Sequence, residues 1–442
     1  MSQPEAATTA QVRRLVCVRM PVGYPDRMST TRMIAVLAAG VLVASCGAVP
    51  SPSATLQPLA TPSPSSTGSS EATPSQLVVS QVGVDWARLP DDPALAGGEI
   101  NAVVAGGPGL VAVGCATATL ECDLGPATWT SIDGRHWTKG PPVPAADAVT
   151  MRAVIAAGTG FIAVGWGGIW HSPDGLHWTR VATPATPGFG TDLHGATAWR
   201  GGYVAVGNEF NSVTNHAVAW TSIDGQHWSK APPSPGFEGL TGLGHVVAGG
   251  PGLIANDEDF SGSSLWTSTD GRRWQKGPRL PAGVELLQLL ATKTGYVAVG
   301  VGVKASASAG NVMLAGFRPA SPTGRSRTFD IGNAIAVAYG STDGLHWTAQ
   351  AVEAGDDGWM TGVVVVRDFL VAVGFVQAGG VAVWRSDDFQ SWSRMADPFA
   401  LHPDPSSADA RMQGVVAEHD SVVAWGSGAT GPAIWVSPPP MP

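Results

Sequence analysis

A glycine-bounded apolar segment recurs along the chain, and no other feature restricts the fold so tightly. It reads GLVAVG at 109–114, GFIAVG at 160–165, GYVAVG at 202–207, GLIAND at 252–257, GYVAVG at 295–300, FLVAVG at 369–374 and SVVAWG at 421–426. A short strand with an aromatic follows each copy, at Trp129, Trp170, Trp220, Trp266, Tyr339, Trp384 and Trp435. Six of these strands run into a tight turn and a further Trp: SIDGRHW (131–137), SPDGLHW (172–178), SIDGQHW (222–228), STDGRRW (268–274), STDGLHW (341–347) and the degenerate SDDFQSW (386–392). Asp-Gly between two β runs marks a hairpin, because Gly accepts positive φ and Asp bonds back to the turn backbone. The repeat therefore predicts strand, strand, strand, Asp-Gly hairpin, strand.

Four short strands at a period of about 40–50 residues predict the blades of a β-propeller. Six copies are complete, and the seventh, 412–436, holds three strands before a Pro-rich end. Val84-Asp85-Trp86-Ala87-Arg88-Leu89-Pro90 resembles the outer strand around Trp137. The expected fold is an all-β, seven-bladed propeller over residues 80–442, its four-stranded antiparallel last blade completed by the N-terminal strand around Trp86. Closure of that kind removes long free sheet edges. Composition agrees: 57 Gly, 35 Pro and 13% charged residues in 442 exclude a coiled coil, a helical bundle and a large basic nucleic-acid face. Thirteen of the 17 Trp fall at repeat positions and are expected to pack between sheets. Trp166, Trp199 and Trp359 fall outside the repeat, and Trp425 inside a strand.

The N-terminal region reads as an address. Residues 33–44, MIAVLAAGVLVA, are uncharged and apolar, too short to span a hydrocarbon core of roughly 30 Å and suited to a signal-peptide core. The run ends in Val43-Ala44-Ser45-Cys46-Gly47, which resembles the bacterial lipoprotein signal, where small residues precede a lipidated Cys. The resemblance implies a signal peptide over 28–46, lipid such as palmitate on Cys46, and residence outside the cytoplasm on the cell membrane or surface. Met28 is a plausible start, so 1–27 reads as an over-extended beginning. Residues 47–79 are rich in Ser, Thr, Pro and Ala and read as a disordered tether. Cys115 and Cys122, in CATATLEC, are expected to form a local disulfide outside the cytoplasm. The net charge of −9 argues against nucleic-acid partners and against membrane contact except through the lipid.

The SxDGxxW turn resembles the Asp-box of sialidase-like (BNR) β-propellers, with the Gly moved next to the Asp. By that resemblance Asp133, Asp174, Asp224, Asp270, Asp343 and Asp388 brace hairpins on the face away from the binding site. Binding is then expected at the opposite, mouth end. One aligned inner-strand position is always apolar: Ile100, Met151, Leu193, Leu243, Leu286, Met360, Met412. The next varies, and Asn101, Arg152, His194, Thr361 and Gln413 are the polar candidates there, since function is grafted where a scaffold does not dictate the residue. Loop candidates are Asp257, Glu258 and Asp259, whose oxygens offer a weak cation pattern, and Asp356, Asp357, Trp359 and Trp166, with aromatics suited to sugar stacking or protein contact. The insert 301–333 carries Arg318, Arg325 and Arg327 as a partner-contacting loop or a disordered segment.

A sialidase would need a Tyr nucleophile and three gripping Arg. Tyr203, Tyr296 and Tyr339 all sit at regular strand positions, so that activity is not expected. No nucleophile elbow, HExxH or phosphate loop occurs. The reading is a lipid-anchored, monomeric binding module for a protein or glycan, without cofactor or catalysis. A carbohydrate-active hydrolase using mouth-side carboxylates and an envelope-complex assembly factor are the competing readings.

Overall fold

The computed structural model describes residue 83 and residues 85–438, apart from 108, 117–124, 145–149, 159, 238–239, 258–262, 304–333, 354–357, 377–379, 396–409 and 429–430. The signal, Cys46, the tether, Cys122, Glu258, Asp259, Asp356 and Asp357 lie outside the described residues.

Every regular element among the described residues is a strand. After β1 (Ala87–Arg88) come β2 (Glu99–Gly106), β3 (Gly109–Cys115), β4 (Pro126–Ser131) and β5 (Thr138–Lys139). Next are β6 (Thr150–Ala157), β7 (Gly160–Trp166), β8 (Gly168–Ser172) and β9 (Thr179–Val181), then β10 (Gly190–Trp199), β11 (Gly202–Phe210), β12 (Asn215–Ser222) and β13 (Trp228–Lys230). They continue with β14 (Leu243–Ala248), β15 (Leu253–Asp257), β16 (Ser264–Ser268) and β17 (Gln275–Arg279), and with β18 (Glu285–Thr292), β19 (Gly295–Val303), β20 (Ala334–Ser341) and β21 (Thr348–Ala349). The last are β22 (Ala351–Val352), β23 (Gly358–Val366), β24 (Phe369–Val376), β25 (Gly380–Ser386), β26 (Ser391–Arg394), β27 (Arg411–Glu418), β28 (Ser421–Gly428) and β29 (Gly431–Ser437).

The chain is an all-β β-propeller. Among the described residues its strands form six hydrogen-bonded sheets rather than seven separate ones. Four sheets have four strands, and β22 adds a fifth, parallel edge strand to the sheet of β23–β26. The sixth sheet has eight strands: the meanders β6–β9 and β10–β13 are joined where Trp166 of β7 pairs with Asp192 of β10. A bond from Gly167 N to Thr191 O (2.9 Å) reinforces the junction.

The core lies between neighbouring sheets. Ile100, Val103 and Leu110 pack on Val416, Val423 and Trp425, and Ala102, Val104 and Val111 pack on Met151, Val154 and Phe161. Trp129, Trp170, Trp220, Trp266 and Trp435 on the third strands are fully buried. Truncating one such Trp to Ala costs about 3–5 kcal/mol in comparable cores. Trp425, also fully buried in β28, belongs to this packing.

The recurrent glycines have two separate causes. The first Gly of each segment faces the serine that opens the hairpin: a Cβ on Gly109, Gly160, Gly202 or Gly295 would overlap the carbonyl oxygen of Ser131, Ser172, Ser222 or Ser341. The second faces a β-bulge in the inner strand. Ile100 pairs with Gly114 and Ala102 with Val113, which leaves Asn101 out of the ladder. The same shift follows Met151, Leu193, Leu286, Met360 and Met412. The bulge pushes the preceding carbonyl across the ladder, so a Cβ on Gly114, Gly207, Gly300, Gly374 or Gly426 would overlap the oxygen of Glu99, Asp192, Glu285, Trp359 or Arg411. GLIAND breaks the pattern. There Asp257 takes the glycine's place opposite Leu243, the irregularity runs on to Val246, and the Oδ1 of the preceding Asn256 accepts from His245 N (2.8 Å).

The hairpins are closed by their own side chains. Asp133 Oδ1 accepts from Arg135 N (2.8 Å) and His136 N (2.9 Å), while Gly134 N donates to Ser131 Oγ (2.9 Å). The chain ends rebuild half of this motif. Gly83, at φ 75°, donates its N–H to Ser437 Oγ (2.8 Å), as Gly134, at φ 69°, does to Ser131. Trp86 follows Gly83 by the spacing that separates Trp137 from Gly134, and it is buried against Val371, Val383 and Trp435. Ala87 then pairs with Val436 and Arg88 with Trp435, so β1 supplies the outer strand of the sheet β27–β29.

Gly374→Ala is expected to cost about 1–3 kcal/mol or more, because the clash is with backbone. Gly250→Ala, where a Cβ meets nothing within 4 Å, should stay within about 1 kcal/mol of wild type. Urea unfolding of both variants checks the pair; equal midpoints would contradict the bulge account.

Candidate functional site

Antiparallel order places the inner-strand starts and the second-strand ends at one end of the ring, opposite the Asp-Gly hairpins. Residues freed by the bulges gather at this mouth, and several reach the next inner strand. Asn101 Nδ2 donates to Thr150 Oγ1 and Met151 O, both at 2.7 Å. Thr361 Oγ1 donates to Met412 O (2.7 Å). Gln288, which follows the bulge at Leu287 and stays paired with Val299, makes the same kind of tie, its Oε1 accepting from Val363 N (2.6 Å). Asn101, Gln288 and Thr361 are each 1% exposed. The sequence placed Asn101 and Thr361 on an open rim; the structure puts them between strands, as ties around the ring. Gln413 remains partly exposed.

Arg152 and His194 take part in a larger constellation on the joined sheets. Arg152 grips Asp192 with two bonds, Nε to Oδ1 at 2.6 Å and Nη2 to Oδ2 at 2.9 Å. His194 Nε2 lies 3.0 Å from Asn208 Oδ1 and 3.6 Å from Asp192 Oδ2. Asn208 Nδ2 donates to Asn215 Oδ1 (2.8 Å). Trp166, Asp192 and Asn208 are successive register partners across β7, β10 and β11, so their side chains share one face. Trp166 packs edge-on against Phe210, ring centres 5.4 Å apart. Behind them the buried Glu209 accepts from Lys230 Nζ (2.6 Å) and Thr186 Oγ1 (2.7 Å). The junction thus carries a half-buried polar platform flanked by aromatics.

Charge at the platform is tuned in opposite directions. Burial opposes ionisation of Asp192, but the charges of Arg152 and His194 and the bonds from Arg152 hold its carboxyl below the usual range. Burial pushes Glu99, at the start of β2, up to about 7, and the charge of Arg152 offsets only part of that. Asp192 and Glu99 escaped the sequence reading, as did Glu285 and Arg411. They occupy the position one before the aligned apolar residue, so shifting the alignment by one would have found them.

The remaining candidates fall elsewhere. Asp257 ends β15 and is buried, accepting Ser264 N at 2.8 Å. Trp359, read as an exposed aromatic, is 3% exposed and stacks on Phe375, because its strand turns it onto the sheet face. Trp199 is half-buried and donates to Thr269 O (3.2 Å). Among the described residues no cluster of His, Cys, Asp and Glu is arranged to hold a metal ion. The six box aspartates sit in their hairpins: His227 Nδ1 and His346 Nδ1 meet Asp224 and Asp343 at 2.7 Å, and Ser391 Oγ donates to Asp388 at the same distance. These bonds, with two backbone N–H groups each, hold those carboxyls below the usual range.

No family model matches the chain, and no curated protein matches it. Solved structures do resemble it in fold. An extracellular domain of a putative one-component system from B. thetaiotaomicron is 9% identical, with TM-score 0.49, covering 79% of this chain and 39% of that one. The chain therefore spans about two fifths of that protein. The Pan2 WD40 domain of Neurospora crassa is also 9% identical, with TM-score 0.49, covering 81% and 97%. A Trypanosoma rangeli sialidase is 11% identical, with TM-score 0.39, covering 79% and 56%. At these values nothing about activity carries over.

Arg152→Met should cost about 3–5 kcal/mol, since Asp192 stays buried without its partner, and Arg152→Met with Asp192→Leu should recover most of it. Additive losses in urea unfolding would contradict the pairing. Glu99 binds its proton more tightly folded than unfolded, so stability falls as pH rises from about 4.5 to about 7. Glu99→Gln should abolish that decline and exceed wild type in melting temperature at alkaline pH, matching it in acid.

Proposed function

We propose that this chain is a seven-bladed β-propeller, with the joined sheet counted as two blades, that works as a non-catalytic interaction module outside the cytoplasm. The lipobox-like Cys46 and the tether 47–79 support attachment to the cell membrane through lipid, and a Cys115–Cys122 bridge suits the same compartment. Among the described residues no helix is long and apolar enough to cross a membrane.

The observation that carries the reading is the platform of Trp166, Arg152, Asp192, His194 and Asn208. It breaks the regular repeat at one point of the mouth, while the hairpin end repeats the same bonds. Irregular polar and aromatic groups on a rigid scaffold are what a specific contact needs. A protein or glycan is the expected partner.

A glycan array and a pull-down from envelope extract with the full chain test this. Trp166→Ala and His194→Ala should weaken whatever binds at least tenfold, and Asp387→Asn, on the hairpin end, should not. Binding that ignores both mouth variants, or turnover of a glycoside, would overturn the proposal.

A further inference from the structure

Glu99 is a carboxyl without a counter-charge of its own. It has no ion pair within 4 Å among the described residues, and Cys115 Sγ lies 3.9 Å from its Oε2. The nearby cation, Arg152, already gives Nε and Nη2 to Asp192. The sequence that follows Cys115, ATATLECDLG (116–125), contains no Lys, Arg or His. Two residues along the same strand, Asn101 Oδ1 is buried with no hydrogen-bond partner, because both its bonds leave from Nδ2. β2 therefore presents at the mouth a half-exposed carboxyl with no cationic partner among the described residues, while the amide oxygen of Asn101 stays enclosed between strands.

We propose that the mouth beside Glu99 receives a cationic side chain, the ammonium of a Lys or the guanidinium of an Arg, from a protein partner. The proposal rests on the mouth being a contact surface. A cation at the mouth restores the charge that burial denies the carboxylate. An anion would meet Glu99 and Asp192 instead. On β3 the group facing Glu99 is Cys115; on β6 and β10 the charged groups are Arg152, Asp192 and His194. On β27 it is Arg411, whose guanidinium sits 5.0 Å from the Phe375 ring. Of these charges, that of Arg152 is the one that lowers the Glu99 carboxyl, against the larger effect of burial.

Cation binding then requires ionised Glu99 and releases a proton where Glu99 is still protonated. Titration calorimetry of the full chain against a Gly-Ser-Lys repeat peptide, its Arg counterpart and its Gln counterpart tests this. With Glu99 at about 7, affinity for the Lys or Arg peptide should rise about tenfold from about pH 6 to about pH 8, with proton release near neutrality. Glu99→Gln should abolish the rise, Asp387→Asn should keep it, and the Gln peptide should not bind. Glu99→Gln is checked for folding by its melting temperature, which is expected to equal or exceed wild type. A rise that survives Glu99→Gln would assign the dependence to His194 and overturn the proposal. Failure of both basic peptides, while another ligand binds and is lost with His194→Ala, would also overturn it and leave the contact surface standing. Failure of every ligand would remove both.

Discussion

One intrusion of backbone organises this ring. At the start of the inner strands a bulge drives a carbonyl oxygen into the space where the second strand would carry a side chain. The second strand then offers Gly, except in β15, where Asp257 stands opposite Leu243, the irregularity is longer and the neighbouring Asn256 bonds back to it. The residue expelled from the ladder is free to do something else. Asn101 and Thr361 use it to reach the next inner strand, which ties neighbouring sheets by hydrogen bonds where the apolar packing between them ends. In β18 the expelled residue is Leu287, and the tie comes from Gln288, which stays paired with Val299. Arg152 uses it on Asp192. Scaffold and site therefore share one device, and the same position supplies both the ring's ties and its chemistry.

Much of this was legible in the sequence. The Asp-Gly hairpins, the buried third-strand Trp and the closing strand around Trp86 all follow from local rules: turn chemistry, strand alternation and repetition. Even the split hairpin was half visible, since Gly83 and Trp86 keep the spacing of Gly134 and Trp137; its serine, Ser437, lies at the other end of the chain. What could not be read was direction at the bulges. Alternation fails where a residue leaves the ladder, so the pattern gave no hint that Asn101 and Thr361 turn between strands or that Asp192 turns toward Arg152. The Trp166–Asp192 bridge was hidden for a related reason. A single long-range pair that merges two sheets leaves no periodic trace.

Trp359 shows the complementary failure. Two acids before it suggested an exposed loop aromatic, but it lies within β23 and the pleat lays it on Phe375. Neighbours in sequence describe a loop poorly once a strand begins. The carboxylates that matter at the mouth are instead one position ahead of the apolar alignment, Glu99 half-exposed and Asp192 buried. What separates Glu99 from Asp192 is the guanidinium: both are acids beside Arg152, and Asp192 is the more buried, but only Asp192 holds its two bonds.

The two ends of the ring thus differ in kind. The hairpin end repeats one set of bonds and closes on itself, while the mouth gathers unlike residues around the junction of β7 and β10. Amide hydrogen exchange of the full chain, with and without a ligand recovered from the envelope, distinguishes the ends most directly. Contact at the mouth predicts slowed exchange at 189–195, 207–216 and 98–102, with the hairpins 131–137, 222–228 and 341–347 unchanged. Protection confined to those hairpins would contradict the account.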